Sequence, residues 1–153
     1  MKLIYENIEQ EGDASYQIYI NHKEKSFYIK ASGNISESFH TITNLQLLEE
    51  IGKHKYSRFI FDLSEQTSTE LKSRVWFVSH VTQKAYSILR GKKIYAAAIS
   101  SANPMETAFT HIIVRSITHF NQKINIQLFN SDAMESAKKW ILKDQVEDIR
   151  LAS

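Results

Sequence analysis

Six histidines are the first residues of this 153-residue chain to invite a chemical role, because imidazole ligates metals and moves protons near neutral pH. Their spacing supports neither use. His111 and His119 stand eight apart, His80 is alone on its segment, and no His-Glu-x-x-His or His-x-His occurs. His22, His40 and His54 fall near element ends or in turns, where an imidazole needs no special role. The chain has no cysteine, which removes disulfides, thiolate nucleophiles, iron–sulfur clusters and cysteine-bound zinc together. Its four glycines form no dinucleotide fingerprint, no phosphate-binding loop and no nucleophile elbow. The paired carboxylates Glu49 and Glu50 read as a helix exterior. The expectation is a chain without catalytic motif, metal or cofactor.

Hydroxyls at helix starts are the stronger candidates. Thr67-Ser-Thr-Glu70 matches a capping box, with the Thr67 hydroxyl accepting from the Glu70 amide. The unpaired amides and partial positive charge of a helix start favour an anion there. Thr67, Ser68 and Thr69 are therefore candidates for phosphorylation or anion binding, set against a simpler role in which Thr67 caps and the others meet solvent. Ser100-Ser-Ala-Asn-Pro104 leaves the carboxyl end of a neighbouring strand, where open α/β sheets bind ligands. Asp62, Ser68, Ser100, Ser101 and Asn103 are expected to line one polar crevice, although turn chemistry alone accounts for Asn103 and Pro104. Trp76 falls roughly 140° from the centre of the apolar stripe of its helix, at about 100° per residue. With His80 one turn on, it forms either a partner surface or a contact with a neighbouring element.

These residues need a scaffold. The length suits one domain, and 42% apolar with 24% charged residues is ordinary for a folded chain. A net charge of +2, with basic residues scattered among acids, gives no nucleic-acid face; Arg90-Gly-Lys92-Lys93 and Lys138-Lys139 are short. The N-terminus lacks a secretory apolar core, and no apolar run approaches the ~18 residues of a membrane span. A cytoplasmic protein is expected.

Tyr16–Ile20 and Phe27–Ala31, rich in aromatic and β-branched residues, predict an antiparallel hairpin. Phe39, Ile42, Leu45, Leu48 and Ile51, widened by Leu47, predict a helix capped by Ser36 and ended at Gly52. Phe59–Phe61 reads as a buried strand. A long helix from Thr67 to near Gly91 follows, its stripe running through Leu71, Val75, Val78, Thr82, Ala85 and Leu89. Ile94–Ile99 is a second buried strand. Asn103-Pro-Met-Glu106 opens a helix continued by Ala108, Phe109, Ile112, Ile113, Ser116, Ile117 and Phe120. Ile124, Ile126 and Leu128 form a strand near a sheet edge, and Ser131-Asp132 caps a last helix bearing Ala133, Ala137, Trp140 and Ile141. The tail after Asp144 has no clear period. Alternating strands and helices require right-handed crossovers and an α/β sheet that is mostly parallel, made mixed by the hairpin, with about four helices.

That order, with the central strand ending in Asp62-Leu-Ser64, resembles the STAS domain, the fold of anti-sigma-factor antagonists and of sulfate-transporter tails. The likeness runs from about Tyr16 to Lys143. It is sharpest over Ile126–Leu142, with Asp132 as the turn acid, Ala137 as the central alanine and Trp140-Ile141 as the closing pair. The resemblance implies a serine, phosphorylated by a partner kinase, at the start of the helix after the central strand. In place of the Asp-Ser-Ser-Gly signature this chain has Gln66-Thr67-Ser68-Thr69, so Ser68 or Thr67 is the nearest counterpart. It further implies a regulatory module that binds a protein partner or itself as a homodimer. The alternative is a small-molecule or lipid-binding domain with an apolar cavity between the sheet and the helices carrying Phe77 and Phe109.

Overall fold

The computed structural model describes residues 1–143. Its sheet has six strands in sequence order: β1 (Lys2–Ile8), β2 (Ser15–Asn21), β3 (Ser26–Ile35), β4 (Arg58–Thr69), β5 (Ile94–Ile99) and β6 (Ile124–Phe129). The first three pair antiparallel and the last four parallel, which is the mixed α/β sheet expected. The hairpin is one strand larger than predicted. β1 escaped notice because it is an edge strand with one neighbour, Leu3 and Ile8 are exposed, and its register slips between Leu3 and Tyr5.

A sheet that grows in one direction through right-handed crossovers must carry its crossover helices on one face. α1 (Glu37–His54), the helical stretch α2 (Leu71–Trp76) to α3 (Thr82–Ile88), and α4 (Pro104–Phe120) pack on that face over Ile18, Phe27, Phe59 and Ala96. α5 (Met134–Ile141) alone covers part of the other, placing Ala137 and Ile141 against Ile60, Tyr95, Ala97 and Ile99. β5 is buried at all six positions, since helices cover both its faces. β6 is the far edge, as its alternation foretold.

The helices depart from their predicted stripes. α1 is capped by Ser36, whose hydroxyl accepts from the Phe39 amide at 3.3 Å, but runs past Gly52 to Lys55, which closes it in the left-handed conformation (φ 59°). Its buried face follows steps of three and four, through Phe39, His40, Thr43, Asn44, Leu47 and Ile51. The strict three-residue repeat drifts off this face, leaving Ile42 and Leu45 exposed.

The predicted capping box at Thr67 does not form. β4 continues through Thr69, and α2 starts after Glu70, whose side chain makes no capping bond. Two register shifts against β3 let the strand run on, one at Gly33/Asn34. Gly33 has φ +78°, and a β-carbon there would meet the Asp13 carbonyl oxygen at 2.3 Å, so only glycine fits. Between α2 and α3 lies a π-helical turn, Phe77–Val81, closed by the Thr82 amide on the Phe77 carbonyl. The extra residue turns the two halves of the stretch relative to each other. After it Ala85 and Leu89 are buried as expected, as is Val81 at its end; before it Leu71 and Val75 are exposed, while Ser73 and Arg74 are buried.

α4 begins as predicted, the Asn103 side chain accepting from the Met105 amide at 3.0 Å ahead of Pro104. Of its expected stripe Ile117 is buried, whereas Ile112 and Phe120 are exposed. Ser131-Asp132 forms a turn rather than a cap: α5 starts after Ala133, without a side-chain cap bond. The tail from Asp144 lies outside the described residues.

Candidate functional site

Beneath α1, the π turn and α4 the helical layer does not close on the sheet. A cavity of about 120 Å³ remains, walled mainly by apolar residues including Ile29, Phe61, Ala96, Ile113 and Ile117, with Phe77 at its side. Polar side chains line its two ends. At one end Arg74 and Glu106, buried on facing helices, form an ion pair at 2.5 Å, and the Arg74 guanidinium lies 4.3 Å from the ring centre of Phe109. The second Glu106 oxygen accepts from Gln66 Nε2 at 3.2 Å, so the carboxylate ties β4 to α4. Thr69 lines the same wall, and its Oγ1 is buried with no hydrogen-bond partner among the described residues.

His40 forms the other end. It is 7% exposed and touches the rings of Tyr16, Trp76 and Phe77 at centroid distances of 6.4, 6.1 and 6.0 Å. Its Nδ1 has no partner among the described residues. Burial lowers its pKa from 6.5 to about 4, so the ring is neutral at physiological pH. His40 stands in the first turn of α1, near an element end as expected, but is packed into the core.

The expected crevice does not assemble. Asp62 projects to the α5 side of the sheet, where it accepts from the Tyr28 hydroxyl and from the amide and hydroxyl of Ser64. Burial, then the bond to Asp62, raises the Tyr28 pKa and keeps the phenol protonated. Ser101 and Asn103 instead stitch the β5–α4 loop to the end of β4: the Ser101 hydroxyl donates to the Gln66 carbonyl at 2.6 Å and Asn103 Nδ2 to the Thr67 carbonyl at 3.1 Å. Ser100 is buried, its amide on the Phe129 carbonyl. Thr67 is exposed on the strand. The Ser68 hydroxyl donates to Asn34 Oδ1 at 2.7 Å, and Asn34 in turn donates to Asp13. Trp76 is half-buried and His80 exposed, their rings stacked at 6.2 Å with 19° between planes, while the edge contact with His40 anchors the tryptophan inward.

Sequence reasoning missed His40, Arg74 and Glu106 as one site. Glu106 sits where a capping-box acid would reach back to its own helix start, and nothing local indicates that it reaches Arg74 instead. The inward face of Arg74 depends on the π turn. The available signal was the spacing of His40 from Leu47 and Ile51 on α1, seven and eleven residues on, which puts His40 on the inner side.

The fold that carries this site is STAS-like, a mixed sheet opened by an antiparallel meander with most helices on one face. No protein-family model and no curated protein matches the sequence. Among solved structures the chain is similar to the anti-sigma factor antagonist SpoIIAA in its unphosphorylated form, at 12% identity and a TM-score of 0.50, over 88% of this chain and 97% of that one. It is also similar to an uncharacterized DUF3478-family protein with a SpoIIAA-like fold from Shewanella loihica, at 13% identity and a TM-score of 0.54, over 88% and 98%. Identities this low establish the fold alone. Among the described residues no helix is long and apolar enough to cross a membrane.

Proposed function

We propose that this chain is a non-enzymatic regulatory module of the cytoplasm that binds a protein partner, or a second copy of itself, through the outer surface of its helical layer. The observation that carries this reading is the inversion of α2. Leu71 and Val75, 68% and 60% exposed, face outward while a charged arginine is buried behind them. Ile42 of α1 shares a surface groove with Glu70, the residue before Leu71, and Leu45 lies one turn further along. Clustered exposed apolar side chains of this kind are a feature of interaction surfaces. Trp76 and His80 continue the same helical stretch, and aromatic residues are enriched at interface cores. Likeness to an anti-sigma factor antagonist supports the same class of role.

Phosphorylation at Thr67 or Ser68 is the proposed control. Thr67 is open to a kinase. A phosphate on Ser68 would break its bond to Asn34 and add negative charge beside Asp13, loosening the end of β4 that leads into α2. The test is affinity capture from the native cell, with sedimentation of the purified protein. Leu71→Asp and Val75→Asp alter exposed side chains and leave the fold intact; each is expected to abolish partner capture or dimerisation. If both variants, and Trp76→Ala, retain every partner and the same mass, the surface is wrong.

A second reading is favoured by the cavity. A mostly apolar pocket with a few polar groups is the usual form of a small-ligand site, and this one, partly open, lies between the sheet and the helices bearing Phe77 and Phe109. Native mass spectrometry for a co-purified ligand tests it.

A further inference from the structure

We propose that the pole of the domain where the parallel strands begin binds a small soluble molecule carrying two or more phosphate groups, in an open pocket lined by Lys25, Lys55, Arg58, Lys92 and Lys93. These cations are scattered in sequence, and strand register gathers them. Ser26 of β3 lies beside Arg58 of β4, which lies beside Tyr95 of β5, so the three strands start on one line. The segments leading into them meet at one rim: Lys25 from the β2–β3 turn, Lys55 from the end of α1, and Lys92 and Lys93 from the approach to β5. The Ser57 carbonyl accepts from the Tyr95 amide at 3.0 Å, and the Lys55 carbonyl from Lys92 Nζ at 3.5 Å, which ties the α1–β4 loop to the chain entering β5. The pocket measures about 370 Å³, and Tyr56 and Ser57 complete its lining.

Its charge is of one sign. No carboxylate lines it, and none of its five cations forms an ion pair among the described residues. Helix C-termini attract cations, which accounts for Lys55 and Lys92 but not for Lys25 in a hairpin turn or Arg58 on a strand. The four lysines are exposed, so a solute reaches them directly. Arg58 Nε donates to the Ile141 carbonyl at 3.1 Å, which holds the guanidinium in place. The backbone adds an independent sign. Lys25 and Lys55 have φ of 53° and 59°, the left-handed region where glycine is the ordinary residue. Two lysines kept there on one pocket are unfavourable for the backbone alone, and such strain gathers where side chains serve a site. A phosphate ester brings about two negative charges on one compact group, whereas a carboxylate brings one. Two or more phosphates therefore match this concentration of cations in so small a volume. Tyr56, the aromatic residue of the lining, is already engaged with Phe27, His22 and His54, so recognition rests on the phosphates. The pocket stands at the start of β4 and Thr67–Thr69 at its end, so this site is separate from the proposed phosphorylation site.

The test is calorimetric and ¹H–¹⁵N NMR titration of the full-length protein with tripolyphosphate, orthophosphate and hexaglutamate. Tripolyphosphate is expected to shift the amides of Lys25, Lys55, Ser57 and Lys93, to bind about tenfold or more tightly than the other two, and to weaken as salt is raised. Lys25→Gly and Lys55→Gly each remove a charge and relieve a left-handed backbone. Each should keep or raise the Tm while weakening tripolyphosphate about fivefold, the worth of one exposed unit charge at contact distance. Lysines that serve only the turn would leave affinity unchanged, and that result overturns the proposal. Equal binding of orthophosphate or hexaglutamate overturns it in favour of a general anion or an acidic peptide. Binding to phosphatidylcholine vesicles containing phosphatidylinositol bisphosphate, with no shifts from tripolyphosphate, overturns it in favour of a membrane surface. So does the absence of any shift with millimolar tripolyphosphate.

Discussion

Replacing His40 with phenylalanine should flatten the acid side of the stability profile. The wild-type ring is buried against Tyr16, Trp76 and Phe77 and holds a pKa of about 4, against 6.5 for an exposed imidazole. Above pH 6.5 neither the folded nor the unfolded chain binds this proton, and the group costs nothing. As pH falls below 6.5 the unfolded chain takes up the proton while the folded chain resists, so stability is lost until the pH nears 4 and then levels off. The loss is about 1 kcal/mol at pH 5.5 and about 3 kcal/mol by pH 4, levelling off a little above that at lower pH. The assay is urea unfolding of wild type and His40→Phe at half-unit steps from pH 8 to pH 4. Every other group is common to both proteins and cancels in the difference. The difference should be near zero or slightly in favour of the variant at pH 8, because phenylalanine removes an unpaired buried nitrogen, and should grow toward acid. Parallel curves would show that His40 is solvated or paired in solution, and would remove it from the candidate site.

Three further outcomes follow from the packing. Glu106→Leu leaves Arg74 buried without its partner and should cost about 3–5 kcal/mol in chemical denaturation, while the double variant Arg74→Met/Glu106→Leu should recover most of that loss. Ala137 is 0% exposed between α5 and the sheet, so Ala137→Leu should overpack the contact and cost about 1–3 kcal/mol, read as a lowered Tm. Ser36→Ala removes the hydroxyl that caps α1 and should cost about 1 kcal/mol in the same measurement.

The sheet was largely legible because its signals are local. Tyr16–Ile20 and Phe27–Ala31 alternate or carry β-branched and aromatic residues, and Ile94–Ile99 is uniformly apolar, so each declares its strand. Asn103 and Pro104 declare the start of α4 for the same reason. The candidate site was not legible, because every part of it depends on contacts distant in sequence. The Thr67–Glu70 segment has helix-start chemistry, yet pairing with β3 past Gly33 holds Thr69 in a strand, and tertiary pairing outweighs a cap worth about 1 kcal/mol. Glu106 reads as the acid of a helix start and nothing local marks Arg74; only the folded chain brings them together. The apolar residues Leu71 and Val75 read as core because one helix period was carried through a segment that has two phases.

The π turn at Phe77–Val81 also sets the reading frame of the helical stretch on either side of it. Deleting one residue there would restore a single α-helical phase and rotate everything before it by about 100°. Leu71 and Val75 would then turn toward the sheet, and Arg74 would leave Glu106. The greasy outer face and the buried ion pair thus hang together on one residue of helical phase.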